Sequence, residues 1–221
     1  MNDKKYFPSE LSLFVGVVLG GTGVALITLG QFGTTAVAAI PHTLYSIFPN
    51  VSFGTWYYGF QVFLMMLLTI IVKGFKKDFI LSFATGILFS FVVDFVELAT
   101  KNFPESFGYK VLYFTVGSLI LMVGVAFATN SKLPTTAQDL FTREISDHFK
   151  WNYRNVKTIF DIVCVIVSIA LALLVAGRLT SVGVGTIINA VINGIGINIF
   201  RQILWKKWNF NPIVFKSFTA D

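Results

Sequence analysis

The sequence has few of the residues on which catalysis, metal binding and covalent cross-linking depend. Its single cysteine, Cys164, excludes a disulfide within the chain and falls inside an apolar run, where inert packing is expected. The two histidines, His42 and His148, lie far apart, and the sequence contains no phosphate-binding loop, nucleophile elbow or metal-ligand cluster. These absences predict a protein that is not an enzyme and that uses no cofactor or metal.

Charged residues are also scarce, because they make up 13% of the chain, about half the share of a typical soluble domain. The apolar residues are gathered into six runs that approach or exceed the roughly 20 residues needed to cross a bilayer. The runs cover residues 11–31, 52–72, 79–99, 111–130, 158–177 and 179–200. The sequence therefore predicts an all-α polytopic membrane protein with six transmembrane helices.

The net charge of +6 is unevenly distributed along the chain. If the N-terminus is cytoplasmic, 14 of the 17 basic residues lie inside, and only Lys101, Lys110 and Arg178 lie outside. This bias follows the positive-inside rule, so the basic excess reports membrane topology rather than nucleic-acid binding. Both termini, with the basic tail after the sixth span, are predicted to be cytoplasmic.

The chain repeats itself. Residues 11–36 align without a gap on residues 112–137, with ten of 26 positions identical and a Thr-Thr-Ala triplet at the end of each copy. A half-polar segment and two further spans follow in each half. Because three spans reverse the direction of the chain, the second half is predicted to be inverted, as a 3+3 inverted-topology repeat of residues 1–100 and 101–221. The alternative is a duplication that left only a structural scaffold.

The two half-polar segments differ in charge. In the second, 135–149, one helical face is apolar and the other is charged, and Thr135 and Gln138 have capping-box spacing. We expect a helix in the cytoplasmic membrane interface. The first, 33–48, has no charge and contains Pro41, and is expected at the outer face. The alternative for both is an ordinary loop helix.

Polar residues recur at helical spacing in two spans. In the sixth span Gly185, Asn189 and Asn193 share one face, and Gly196 continues it. At an offset of 99 the third span has Gly86, Ser90 and Asp94, followed by Glu97. These two stripes predict opposite walls of a polar cavity between the third and sixth spans, or alternatively two packing seams.

We assign functional roles from the type of each residue and from its depth in the membrane. The predicted substrate-binding residues are Thr186, Asn189, Asn193, Ser90 and Gln61. The predicted coupling residues are Asp94 and Glu97, of which Asp94 is the deeper and Glu97 can also mark the outer water boundary. The glycines predicted to loosen the helices are Gly86, Gly183, Gly185, Gly194 and Gly196. Asp161 is expected to pair with Lys157 one turn away.

Three segments together resemble the bacterial YczE/YyaS/YitT membrane proteins: "LGQFGTTAVAAIPHTLYSIF", "LPTTAQDLFTREISDHFKWNYRNVKTIFDIV" and "SVGVGTIINAVINGIGINIF". The resemblance implies a bacterial plasma membrane location and little about substrate. Val37 and Ala38 stand where many relatives have Trp and Asp, so only the second copy keeps its aspartate, Asp139. The soluble C-terminal domain of YitT-type members is not expected, because about 20 residues follow the sixth span.

These patterns favour a small secondary transporter driven by a proton or sodium gradient. Its solute is expected to be neutral, zwitterionic or cationic, because the polar groups of the spans are mostly neutral and the spans contain no basic residue. One alternative is a substrate-binding subunit, similar to the S-components of energy-coupling-factor importers, that works with an ATPase module. Another is a non-transporting partner in a membrane complex. A transporter of this kind is expected as a monomer or a homodimer in the lipid bilayer.

Overall fold

The structure, a computed structural model, describes residues 5–215 except for the side chain of Lys77. Lys4 and Lys216, which contribute to the charge bias, lie outside the described residues. The helices are α1 Ser9–Leu29, α2 Ala36–Ile47, α3 Phe53–Val72, α4 Lys77–Thr100, α5 Phe107–Asn130, α6 Ala137–Phe149, α7 Tyr153–Leu171 and α8 Val184–Lys207. A π-helical turn, Ala172–Ala176, extends α7, and two short strands, β1 Lys5–Pro8 and β2 Trp208–Asn211, flank the bundle.

Six of these helices are long and apolar enough to cross a membrane: α1, α3, α4, α5, α7 with its π turn, and α8. They confirm a multi-pass, all-helical protein. The sixth span begins at Val184 rather than at residue 179. The reason is that the preceding residues bond to the α1–α2 loop instead of to a helical turn. Thr34 N–H donates to the Ser181 carbonyl at 2.9 Å, and Gly185 N–H donates to the Phe32 carbonyl at 2.7 Å.

Both ends of the described chain lie at one end of the bundle, here called the near end, opposite the far end. There β1 pairs in parallel with β2, from Lys5 with Trp208 to Pro8 with Asn211. The Glu10 carboxylate accepts hydrogen bonds from three consecutive backbone N–H groups of residues 213–215, at 2.8, 2.7 and 3.0 Å. These bonds hold the C-terminal segment against the start of α1.

A glycine-lined contact between α1 and α5 forms the centre of the fold. A methyl group built on Gly16 would lie 2.8 Å from the Gly124 carbonyl oxygen, and one built on Gly23 would lie 2.8 Å from that of Gly117. Conversely, methyl groups on Gly117 and Gly124 would lie 2.9 Å from the carbonyl oxygens of Gly23 and Gly16. Small residues allow two helix backbones to touch in this way, so α1 and α5 pack as an antiparallel pair.

The two short helices, α2 and α6, begin inside the bundle. Val37 in the first turn of α2 packs against Phe60 and Leu64 of α3 and Cys164 of α7, near the middle of both long helices. At the first turn of α6, Ala137 N–H donates to the Gln61 side chain at 3.4 Å. From these buried starts α2 runs towards the far end and α6 towards the near end.

The start and surroundings of α6 differ from the sequence prediction. The cap is Thr136 rather than Thr135, and Asp139 replaces Gln138 as its partner, because its carboxylate accepts from both threonine hydroxyls at 3.3 and 3.2 Å. The apolar face packs on protein, where Leu140 meets α3 and α4. Glu144 on the predicted polar face is 6% exposed and pairs with Lys76. The interfacial helix predicted over 135–149 is therefore packed into the bundle.

Helices α4 and α8 do not face each other, because α1 and α5 lie between them: α4 packs on α1, and α8 packs on α5. The two helices begin 107 residues apart, so the sequence offset of 99 does not match their bounds. The predicted cavity between α4 and α8 is not formed, because the closely packed backbones of α1 and α5 lie between these two helices.

Candidate functional site

Two cavities lie on opposite sides of the bundle centre. The far cavity, of about 590 Å³, is lined by the end of α1, the α1–α2 loop, α2 and residues 178–180. The near cavity, of about 1250 Å³, is lined by α1, α5, the starts of α2 and α6, and the facing sides of α7 and α8. It extends from Arg154 and Arg201 at the near end to Thr35 inside the bundle.

The partition between the cavities is thin. Ala25 and Thr34 line the far cavity, whereas their neighbours Val24 and Thr35 line the near cavity. The gap between these segments is filled by aromatic side chains. They are Phe53, which faces the far cavity, and Tyr57 and Phe89, which face the near one.

The three aromatic rings pack in series. The Phe53 and Tyr57 rings lie 6.0 Å apart in an edge-to-face arrangement, and the Tyr57 and Phe89 rings lie 4.8 Å apart. All three side chains are buried. The Tyr57 hydroxyl also accepts a hydrogen bond from Gln138 of α6 at 3.1 Å. The three rings therefore belong to one buried cluster, with Val24 and Ala38 among its other members, and this cluster contributes residues to the lining of both cavities.

The starts of α2 and α6 both form part of the near cavity wall. The lining includes Thr35, Ala36 and Val37 from α2, and Thr136 and Asp139 from α6. The start of a helix carries a partial positive charge from its unpaired N–H groups. α6 compensates that charge with Asp139 in its first turn, whereas the first turn of α2 contains no acidic residue.

Ionic side chains line the part of the near cavity closest to the near end. Lys157 donates to Asp161 at 2.8 Å, which confirms the pair expected from their spacing. Asp139, also on this wall, accepts only from hydroxyl groups and forms no ion pair within 4 Å in the described part of the chain. The cavity is therefore mixed in charge, with a carboxylate that is not neutralised by a contact.

Of the residues predicted to bind substrate, the structure brings two to this cavity. Asn189 is 1% exposed and shares a 2.8 Å hydrogen bond with Ser118 of α5 through one amide atom, while its other amide atom has no partner. Asn193 likewise has an amide atom without a partner. Gly194 lies beside them on the wall, with nothing within 4 Å of an added methyl group.

The other residues singled out at the sixth span anchor α8. Thr186 caps the helix, since its hydroxyl accepts from Gly183 N–H at 3.2 Å. A methyl group on Gly185 would lie 2.7 Å from the Phe32 carbonyl oxygen, and one on Gly196 would collide with Met122 of α5. These glycines allow close packing at their positions.

Gln61, Gly86 and Ser90 lie together away from both cavities, where α3 meets α4. Gln61 is 1% exposed, and a methyl group on Gly86 would lie 2.8 Å from its side-chain oxygen. The backbone carbonyl of Ser90 lies against Gly54 of α3, at a place where a side chain on residue 54 would collide with it. The stripe on α4 therefore faces α3, and only Phe89 and residues near the α4 end reach a cavity.

The two acidic residues of α4 that were predicted to couple an ion, Asp94 and Glu97, have separate surroundings. The Asp94 carboxylate accepts from the Ser52 hydroxyl at 2.7 Å and from Gly54 N–H at 2.6 Å, at the start of α3. Glu97 lines the far cavity with Arg178. Its hydrogen bond to Tyr45 raises the pKa of that tyrosine to about 12. The pair predicted for coupling is thus split between a helix cap and the far cavity.

Sequence reasoning did not single out Tyr57 or Asp139 as residues of a site. Asp139 had a recognisable signal, because it follows the repeated Thr-Thr-Ala triplet by two residues, and the first copy has Ala38 at that position. Tyr57 had no such signal, because the sequence of an aromatic-rich span does not indicate which of its tyrosines faces the interior.

Comparison with known proteins gives one family match. A model described as a family of unknown function, DUF6198, matches residues 7–202, which is nearly the whole chain. Neither the curated proteins nor the solved structures contain a match.

Proposed function

We propose that this chain, which belongs to the DUF6198 family of unknown function, is a small secondary transporter. Its solute is small and neutral, zwitterionic or cationic, and a proton or sodium gradient drives it. The observation that carries the proposal is the pair of cavities on opposite sides of one thin aromatic partition. A protein that works by alternating access needs such an arrangement, with one site reached from two sides in turn.

The proposed architecture is two inverted halves of three spans each. Its support is the reciprocal contact of α1 and α5. Gly16 and Gly117 are equivalent in the sequence repeat, as are Gly23 and Gly124, and the contacts join Gly16 to Gly124 and Gly23 to Gly117. A pseudo-two-fold axis in the membrane plane exchanges partners in this way.

The short helices support the same symmetry. Thr35 and Thr136 are equivalent in the repeat, and each occupies the N-cap position of one short helix. α2 bonds to the other half through the Ala39 carbonyl, which accepts from Ser168 of α7 at 3.1 Å, and α6 does so through Gln138 and Tyr57 of α3. Each half thus contributes a helix start to the centre of the bundle.

The proposed sidedness has the near end in the cytoplasm of a bacterial plasma membrane. Of the basic residues that the structure describes, Lys101, Lys110 and Arg178 belong to the far end. The other described basic residues lie towards the near end. That distribution follows the positive-inside rule. The described conformation then corresponds to a transporter with its larger cavity towards the cytoplasm, and Asn189 and Asn193 are its proposed substrate-binding residues.

Transport by the purified chain alone is the direct test. Proteoliposomes would receive labelled amino acids, glycerol or choline, as zwitterionic, neutral and cationic probes, under an imposed proton or sodium gradient. We expect gradient-dependent accumulation of at least one class. Binding without flux of any class would favour the alternative of a binding subunit that needs an ATPase module.

The partition offers a matched pair of variants. Tyr57→Ala removes the ring that joins Phe53 to Phe89, so we expect it to convert gradient-driven accumulation into a leak that dissipates the gradient. Tyr58→Ala removes the neighbouring tyrosine, which lines neither cavity, and is expected to accumulate solute normally. Equal coupling in the two variants would contradict a gating role for the aromatic layer.

A further inference from the structure

The starts of α2 and α6 present opposite charge to the near cavity. Each helix start carries partial positive charge, but only α6 has an acid there, Asp139. The first turn of α2 reads Ala-Val-Ala-Ala, with Ala38 at the position equivalent to Asp139 in the repeat. The cavity lining therefore offers a positive helix end whose side-chain cap is the neutral Thr35 hydroxyl, which accepts from Ala38 N–H at 3.3 Å, and it also offers a carboxylate.

The Asp139 carboxylate is available to a cationic group. Its two protein partners are the hydroxyls of Thr135 and Thr136, at 3.3 and 3.2 Å. Three basic residues line the same cavity, Arg154, Lys157 and Arg201, and none of them lies within 4 Å of the Asp139 carboxylate. Lys157 interacts with Asp139 through space, but its hydrogen bond goes to Asp161 at 2.8 Å. An ammonium group of a solute would give Asp139 the charged partner that the described residues do not supply.

Independent support comes from two buried amides in the lining of the same cavity. Asn189 is 99% buried and Gln138 93% buried, and each has one amide atom bonded to protein and the other without a partner. Buried polar atoms are nearly always hydrogen-bonded. Two residues of the cavity lining thus each have an amide atom without a protein partner, which a polar ligand can complete.

We infer that the near cavity binds a small zwitterion of the amino-acid type, with its ammonium group at Asp139 and its carboxylate at the start of α2. A simple cation would leave the helix start of α2 unpaired, and a simple anion would leave Asp139 unpaired. The zwitterion satisfies both ends. This inference rests on the proposed function only in taking the near cavity as the solute site.

Matched ligands separate the two ends. Each of alanine, leucine and phenylalanine would be compared with the corresponding amino alcohol, which lacks the carboxylate, and with the corresponding deaminated acid, which lacks the ammonium group. Binding to the purified full chain in nanodiscs would be measured by thermal shift and calorimetry. We expect at least one zwitterion to bind about tenfold or more tightly than both of its analogues, because each analogue loses one charge-assisted contact.

Two variants with matched controls assign the ends. Asp139→Asn is expected to remove the preference for the zwitterion over the deaminated acid, whereas Asp147→Asn, at the exposed end of the same helix, retains it. Ala36→Asp adds a carboxylate to the first turn of α2, where an acid suits the helix. It is expected to reverse the preference towards the amino alcohol, whereas the neutral Ala36→Asn retains the wild-type order.

The outcomes distinguish this inference from the proposed function. An amino alcohol that binds as tightly as its amino acid, or no binding by any of the three zwitterions, would overturn the zwitterion site, even if proteoliposomes accumulate glycerol or choline. Zwitterion binding with the expected variant pattern but without flux would sustain the site and overturn transport.

Discussion

At the scale of single residues, the surroundings of Asp94 in the fold do not match the coupling role that the sequence predicts for it. A carboxylate within an apolar span suggests ion coupling. In the fold it accepts a hydroxyl and a backbone N–H at the start of α3, next to Phe53 of the aromatic partition. A carboxylate stabilises a helix start by hydrogen bonding and by its charge, so the geometry favours a positioning role for Asp94.

Substitution of Asp94 distinguishes positioning from coupling. Asp94→Ala removes both acceptor bonds and is expected to destabilise the fold by about 1–3 kcal/mol, visible as a lower thermal midpoint in detergent. Asp94→Asn keeps one acceptor and is expected to lose less, with accumulation per folded molecule near wild type. A normal midpoint with abolished gradient-driven uptake in Asp94→Asn would instead establish the coupling role predicted from the sequence.

Asn189 and Asn193 are expected to differ although they share one helix face. Asn193→Ala removes an amide atom without a protein partner, so solute binding or uptake should weaken while the thermal midpoint is unchanged. Asn189→Ala also breaks the bond to Ser118 and should lower both. Paired measurements of midpoint and uptake test this. If both variants lost stability and the folded fraction transported normally, the stripe would be a packing seam.

At the scale of helices, the contact of α1 with α5 depends on the absence of four side chains. Gly16→Ala and Gly117→Ala, equivalent in the repeat, would each bring a methyl group within 2.9 Å of a carbonyl oxygen on the opposite helix. Both should lower the thermal midpoint by similar amounts, because backbone on both sides prevents relaxation. Gly59→Ala on α3, with nothing within 4 Å of its methyl group, is the control. A midpoint unchanged in either member of the pair would contradict the close crossing.

At the scale of the whole molecule, orientation follows from charge. Single cysteines at Lys73, Lys101 and Lys150, in a Cys164→Ser background, would be exposed to an impermeant maleimide outside intact cells. Only Lys101→Cys should react, because it belongs to the far end while the other two exposed positions belong to the near end. Labelling from outside at Lys150→Cys would invert the proposed topology.

The secondary structure of this protein could largely be predicted from short stretches of its sequence. Six spans, their lengths and the Lys157–Asp161 pair follow from composition and spacing, because crossing a bilayer and pairing within one helix depend on neighbouring residues. The aligned copies also give a common position for the start of each short helix, since Thr35 and Thr136 are equivalent and both occupy the N-cap position, although the cap of the second was predicted one residue earlier, at Thr135.

Only the tertiary structure decided which faces meet. The stripes on α4 and α8 were predicted to face one cavity, but contact between the glycines of α1 and α5 separates these helices, so Asn189 meets α5 and Ser90 meets α3. Likewise, no periodicity reveals that α6 begins against Gln61 inside the bundle, or that the Tyr57 ring packs between those of Phe53 and Phe89. Helical spacing determines which residues share a face, but the partner of that face depends on the close approach of segments far apart in the chain.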